Sequence, residues 1–179
     1  LSILGWLNER VTMSELVFLG QAQNNAYPDP ATGKMRVALL VGQVYQGPRL
    51  PPKTVVSVKP GWHNGKYVLP TPITRDQWVL FFCKSEGGMW TAPPVGRVVE
   101  TPYQGLSFYP DFDVVLEDAA PGLSWSYVLD SLAQLVATRK QIMAGYMPQL
   151  RKANTKEQQD RLRQAIEYEV KDHLGLPVP

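Results

Sequence analysis

Two histidines, one cysteine and a scatter of carboxylates are the residues of this 179-residue chain that could carry chemistry. His63 stands in Trp62-His63-Asn64-Gly65, a turn sequence. As a general base it requires a nucleophile and an orienting carboxylate within reach. Ser57 and Asp76 are of the right types, but no serine sits in a nucleophile-elbow sequence. His173 falls near the end of a helical stretch, where a cation is favourable. The two histidines are far apart and lack His-x-x-x-His spacing or clustered carboxylates, so no zinc or iron site is expected. Cys83 follows Phe81 and Phe82 in an apolar run. A nucleophilic thiol needs partial exposure and a lowered pKa, so Cys83 reads as a buried structural cysteine. Being single, it excludes an intramolecular disulfide and a multi-cysteine zinc site. Asp111, Asp113, Glu117 and Asp118 lie close together without the spacing of a calcium loop, and Phe112 and Val114 separate them. They read as the polar edge of an extended segment. Glu9 and Glu15 show no glycosidase-like pairing. The glycines are dispersed and none opens a helix, so no phosphate cradle is present. Neither an enzyme nor a cofactor is expected from this set.

Aromatic residues in loops form the more informative group. Tyr27 lies in the segment 24–34, Trp62 beside His63, Trp90 at a hairpin, and Tyr103, Phe108 and Tyr109 in a segment rich in turn residues. Loops run over the surface, and aromatic loop residues anchor partner proteins. Tyr27, Trp62, His63, Trp90 and Tyr109 are therefore the expected protein-binding residues. The alternative is that these rings staple long loops or dock the C-terminal helices.

The elements that must carry these residues follow from pattern. A short helix spans about Ser2 to Met13, with Ile3, Leu4, Leu7 and Val11 on one face. Strands are expected over residues 15–23, 35–46, 53–59, 76–84 and 89–91, with another over 95–100. Gly20 and Gly42 interrupt the first two, as glycine does where a strand bulges or bends. Residues 60–74 form a long connection. Five curved strands around one core is the arithmetic of an OB-type barrel. From Ser124 the grammar turns helical. A first helix carries Val128, Leu132, Leu135 and Val136 and ends at Pro148. A second opens with a capping box of Thr155 and Gln158, carries Leu162, Ile166 and Val170, and stops at Gly175. Asp160 with Gln164, and Glu167 with Lys171, read as exposed spacings. The chain is thus mainly β with an α appendage: a five-stranded OB-like barrel with a short N-terminal helix over 1–122, and a helical hairpin over 123–179. The apolar side of the hairpin is expected to cover the barrel. A partner chain, and so a homodimer through these helices, is the alternative.

The order of these pieces resembles the netrin-like OB-fold family that includes the tissue inhibitors of metalloproteinases. The resemblance rests on Ser14–Gly20, Val41–Pro48, Thr54–Val58, Gln77–Phe82 and Gly87–Trp90, and covers roughly residues 3 to 100. It implies a closed barrel whose loops meet a partner protein, in an extracellular or periplasmic setting; a cytoplasmic one is the alternative. The inhibitory members of that family chelate a target's zinc through an N-terminal cysteine. No cysteine precedes Cys83 here, so a protease blocked by this chain is blocked another way.

Charge narrows the partner. The formal net charge is +2, with ten basic against six acidic residues in 1–110 and eight against ten beyond. So small an excess argues against a dedicated polyanion binder. The alternative function, a single-stranded nucleic-acid-binding OB protein, would stack bases on Phe18, Tyr45 and Trp78 beside Arg36, Lys53, Lys59 and Lys66. An enzyme with its site between barrel and helices is a third reading. No apolar run approaches the roughly 20 residues that span a bilayer, and residues 1–7 are too short and too poor in basic residues for an intact signal peptide. The leading expectation is a non-enzymatic protein-binding module, an exported inhibitor or accessory factor acting by steric loop contacts.

Overall fold

The computed structural model describes residues 1–101, 105–108, 116–119 and 122–178. The chain divides into two compact units, Leu1–Val128 and Leu129–Pro179.

The first unit opens with α1 (Ile3–Thr12), capped by Ser2, whose Oγ accepts from the Gly5 amide at 3.0 Å. Asp118 Oδ1 accepts from the Ile3 amide at 2.7 Å and satisfies another first-turn donor. Among the described residues nine strands follow: β1 (Leu16–Ala22), β2 (Met35–Gln46), β3 (Lys53–Val58), β4 (Gly61–His63), β5 (Lys66–Val68), β6 (Trp78–Glu86), β7 (Met89–Ala92), β8 (Val98–Thr101) and β9 (Gly105–Phe108). β1 pairs with β2, β2 with β3, β3 with β7, β7 with β6, and β6 again with β1, so the sheet closes. Only the β3–β7 pairing is parallel within this ring, giving the five-stranded mixed barrel of an OB-like fold. β8 and β9 extend the sheet from β6.

Glycine allows the first strand to curl. β1 shifts register against β2 between Leu19 and Gly20, the bulge expected there. Gly42 serves another purpose: a Cβ built on it would stand 2.9 Å from Trp78 Cζ3, so the bare backbone makes room for the indole. Alternation sends Phe18, Val37, Leu39, Val56, Phe81 and Cys83 into the barrel core. β6 is buried on both faces, since Leu80 and Phe82 lie outside that core and are also buried. α1 covers that outer face through Ile3, Trp6, Leu7 and Val11, and the Trp6 ring meets Phe82 edge-on at 5.9 Å. Each fully buried side chain of this size contributes about 1.5–3 kcal/mol by leaving water.

The structure departs from the sequence expectation in the connections. The segment 60–74 is not a plain linker, for β4 and β5 form a hairpin within it. The strand expected over 95–100 begins at Val98, and β9 adds an unexpected partner to it. Phe108 lies on β9, half-buried, with its ring 6.0 Å from Trp6, and so is not a loop aromatic.

The second unit is a helical hairpin of α2 (Trp125–Lys152), from Leu129 onward, and α3 (Lys156–His173). Leu132, Leu135, Ile166 and Val170 are buried. The capping box of Thr155 and Gln158 is present. Pro148 does not end α2, which continues to Lys152. A proline so close to a helix end forfeits one amide bond and leaves the last turn otherwise intact. Glu167 does not reach along its own helix; it takes a two-pronged bond from Arg139 of α2 at 2.7 and 2.9 Å. No helix among the described residues is long and apolar enough to cross a membrane.

Candidate functional site

Strand direction decides where the loops gather. β1 ends beside the start of β2, and the start of β2 pairs with the end of β3. The segments 23–34 and 59–77 therefore leave the barrel at the same end. They are also fastened to each other. Ala26 and Ile73 form a β-bridge, with N···O distances of 2.7 and 3.0 Å. Asn25 Oδ1 accepts from the Arg75 amide at 2.8 Å, and Arg75 Nε donates to the Gln23 carbonyl at 3.0 Å. Gly33, at φ +71°, lies so close to Pro60 and Leu69 that a Cβ would stand 3.0 and 3.1 Å from them. Arg97, buried before β8, donates to the carbonyls of Thr71 and Pro94 at 2.8 and 3.2 Å and anchors the longer loop from beneath.

The hairpin rises from this base. Asn64 (φ 51°) and Gly65 (φ 76°) make a two-residue turn with both residues left-handed, the geometry that matches strand twist. That turn places Trp62 opposite Tyr67. Their rings meet edge-on at 5.5 Å, yet Trp62 is 71% exposed and Tyr67 54%. Leu69 is exposed next to them, and Tyr27, on the neighbouring loop, is 68% exposed. Aromatic rings bury 150–250 Å² each when covered, so this end of the barrel holds a large exposed apolar area on loops bonded to each other.

The residues expected to bind divide accordingly. Tyr27 and Trp62 come to one barrel end. His63 shares the hairpin with Trp62 but, by strand alternation, faces its other side. It lines a groove with Arg10, Lys59 and Lys84. Trp90 lies on β7 in the barrel wall, half-buried against the core. Tyr109 falls outside the described residues, as do Tyr103, Asp111 and Asp113. Tyr67 is the residue that sequence reasoning missed. The signal was present: Asn64-Gly65 between apolar pairs is a hairpin turn that fixes Trp62 across from Tyr67.

Burial pushes the Cys83 thiol up to about 12, which keeps it a neutral core side chain at physiological pH. Among the described residues no three His, Cys, Asp or Glu side chains gather as metal ligands. Phe18 is fully buried in the core and unavailable for stacking; Trp78 is half-buried over Gly42, and Tyr45 is half-buried. The outer face of β2 and β3 shows water Leu40 and Val55, flanked by Arg36 and Lys53. Against known proteins, the chain matches no family model and no curated protein.

Proposed function

We propose that this chain is a non-enzymatic protein-binding module, an inhibitor or accessory factor, that presses the Trp62–Tyr67 hairpin and the Tyr27 loop onto a partner. The observation that carries this reading is the edge-on Trp62–Tyr67 pair left in water on loops fastened together at one barrel end. Pre-ordered loops lose little conformational freedom on docking, and exposed Trp and Tyr are the side chains that dominate interfaces. The small formal net charge of +2 favours a protein over a nucleic-acid strand. The exposed side chains of the β2–β3 outer face, where OB barrels take oligonucleotides, are aliphatic and basic rather than aromatic.

The test is capture from the native source with the full chain as bait. The wild type retains one stoichiometric protein, and Trp62→Ala with Tyr67→Ala loses it by tenfold or more while the melting temperature is unchanged, as expected for exposed hot-spot residues worth about 2–4 kcal/mol. Retention of the double variant at wild-type strength overturns the reading. Steep salt-dependent binding to single-stranded DNA, with no protein captured, replaces it with the nucleic-acid alternative.

A further inference from the structure

Behind the aromatic hairpin lies a groove of about 200 Å³ lined by residues of β4, β6 and β7, the end of α1 and the segment after β3. Its charged and aromatic walls are Arg10 from the last turn of α1, Lys59 after β3, His63 from β4, and Phe82, Lys84 and Glu86 from β6. Alternation along β6 explains the β6 set: Phe81 and Cys83 enter the core, so Phe82, Lys84 and Glu86 project the other way. Lys59 and Glu86 neutralise each other, with Nζ 2.8 Å from both carboxylate oxygens. Arg10 and Lys84 have no carboxylate partner among the described residues. Arg10 is held in place all the same. Gly96, at φ +89°, lies flat beneath it, and a Cβ there would stand 3.0 Å from Nη1 and 3.2 Å from Cδ. Among the described residues Nη2 reaches the Met13 sulfur, at 3.6 Å, and the buried Nε finds no acceptor. A guanidinium with an orphaned buried donor is costly unless a ligand's charge compensates it.

We propose that this groove binds a carboxylate of an acidic peptide segment, supplied by the same partner whose apolar residues meet Trp62 and Tyr67. The proposal rests on the protein-binding reading above. A peptide carboxylate fits better than a phosphate for two reasons. Phe82, Met13 and Pro93 give the groove apolar walls suited to the methylenes of Glu or Asp. The groove is also walled by side chains from the end of α1, from β4, β6 and β7 and from the segments just after α1, β3 and β7, and none of these residues opens a helix to donate amides to a phosphate. The arginine fork matches a carboxylate in two-pronged geometry, with Lys84 as the second charge.

The full-length ¹⁵N-labelled protein is titrated with an end-capped tetraglutamate peptide, with inorganic phosphate and with an oligothymidylate of eight nucleotides. The peptide is expected to shift the Arg10 Nε–H resonance and the Gly96 and Thr91 amides. Arg10→Gln with Lys84→Gln is expected to weaken it about tenfold, and the exposed Lys84→Gln alone about threefold. Unchanged peptide affinity in both variants overturns the inference, as does oligothymidylate or phosphate moving the same resonances at lower concentration than the peptide. Trp62→Ala separates the two proposals. If it abolishes partner capture while the charge variants do not, the groove assignment falls and the module reading stands. If the peptide binds the groove but no protein is captured, the reverse holds.

Discussion

At the scale of single residues, glycine and cysteine set the sharpest expectations. Gly42→Ala puts a methyl 2.9 Å from the Trp78 ring and 3.3 Å from the Leu19 carbonyl. The ring and strand must shift, so a loss of about 1–3 kcal/mol is expected in urea unfolding. Cys83 gives a pH dependence. Its thiol ionises near 9.0 when unfolded and near 12 when folded. The folded state holds the proton longer, so stability is full below pH 9 and falls as pH rises from 9 toward 12. Cys83→Ala removes that alkaline loss at the cost of a smaller core side chain, and chemical denaturation at pH 8 and pH 10.5 measures both. A thiol reagent at pH 8 reacts with the wild type only as it unfolds. The burial of Cys83 was readable from its neighbours Phe81 and Phe82, because an apolar run bounded by polar residues has nowhere to go but inside. The work of Gly42 and of Gly96 was not readable, because each is defined by a side chain, Trp78 or Arg10, that only the fold brings across.

Elements show the same division. Thr155 and Gln158 announced the start of α3 because capping is local chemistry, complete within four residues. The bond between Arg139 and Glu167 was hidden, since the local pairing of Glu167 with Lys171 looked equally good on one helix. Arg139 and Glu167 are both largely shielded, so a double-mutant cycle with alanine at each is expected to yield a coupling of about 1–3 kcal/mol. The β4–β5 hairpin depends on its turn. A Cβ on Gly65 meets nothing within 4 Å, so Gly65→Ala costs only the left-handed backbone, about 1–2 kcal/mol. Amide exchange across residues 62–67 is expected to quicken while the barrel's melting temperature stays nearly constant. A barrel that melts with the hairpin would mean that the loops, and not the strands, hold the ring shut. The sequence reads as a long connection over 60–74 because each of these strands has only three residues, too few for periodicity to register.

For the molecule as a whole, closure is uneven. β1 is bonded along its length on both sides, by β2 and by β6, whereas the ring is completed by three residue pairs between β3 and β7, Val56 with Trp90 through Val58 with Ala92. Native-state hydrogen exchange is expected to find the slowest amides in Val17–Gln21 and markedly faster ones at this short parallel seam. The barrel was legible because curved strands, glycine breaks and apolar alternation all pointed to the same sheet; the parallel seam was not, since nothing in residues 56–58 names residues 90–92. That seam also has a temporal consequence. A ribosome finishes β3 about thirty residues before it reaches β7, roughly 2 to 6 seconds at ordinary elongation rates. Through that interval the first three strands emerge as a half-made curl with bare edges, and the newborn chain needs shelter from its neighbours until the latch strand arrives.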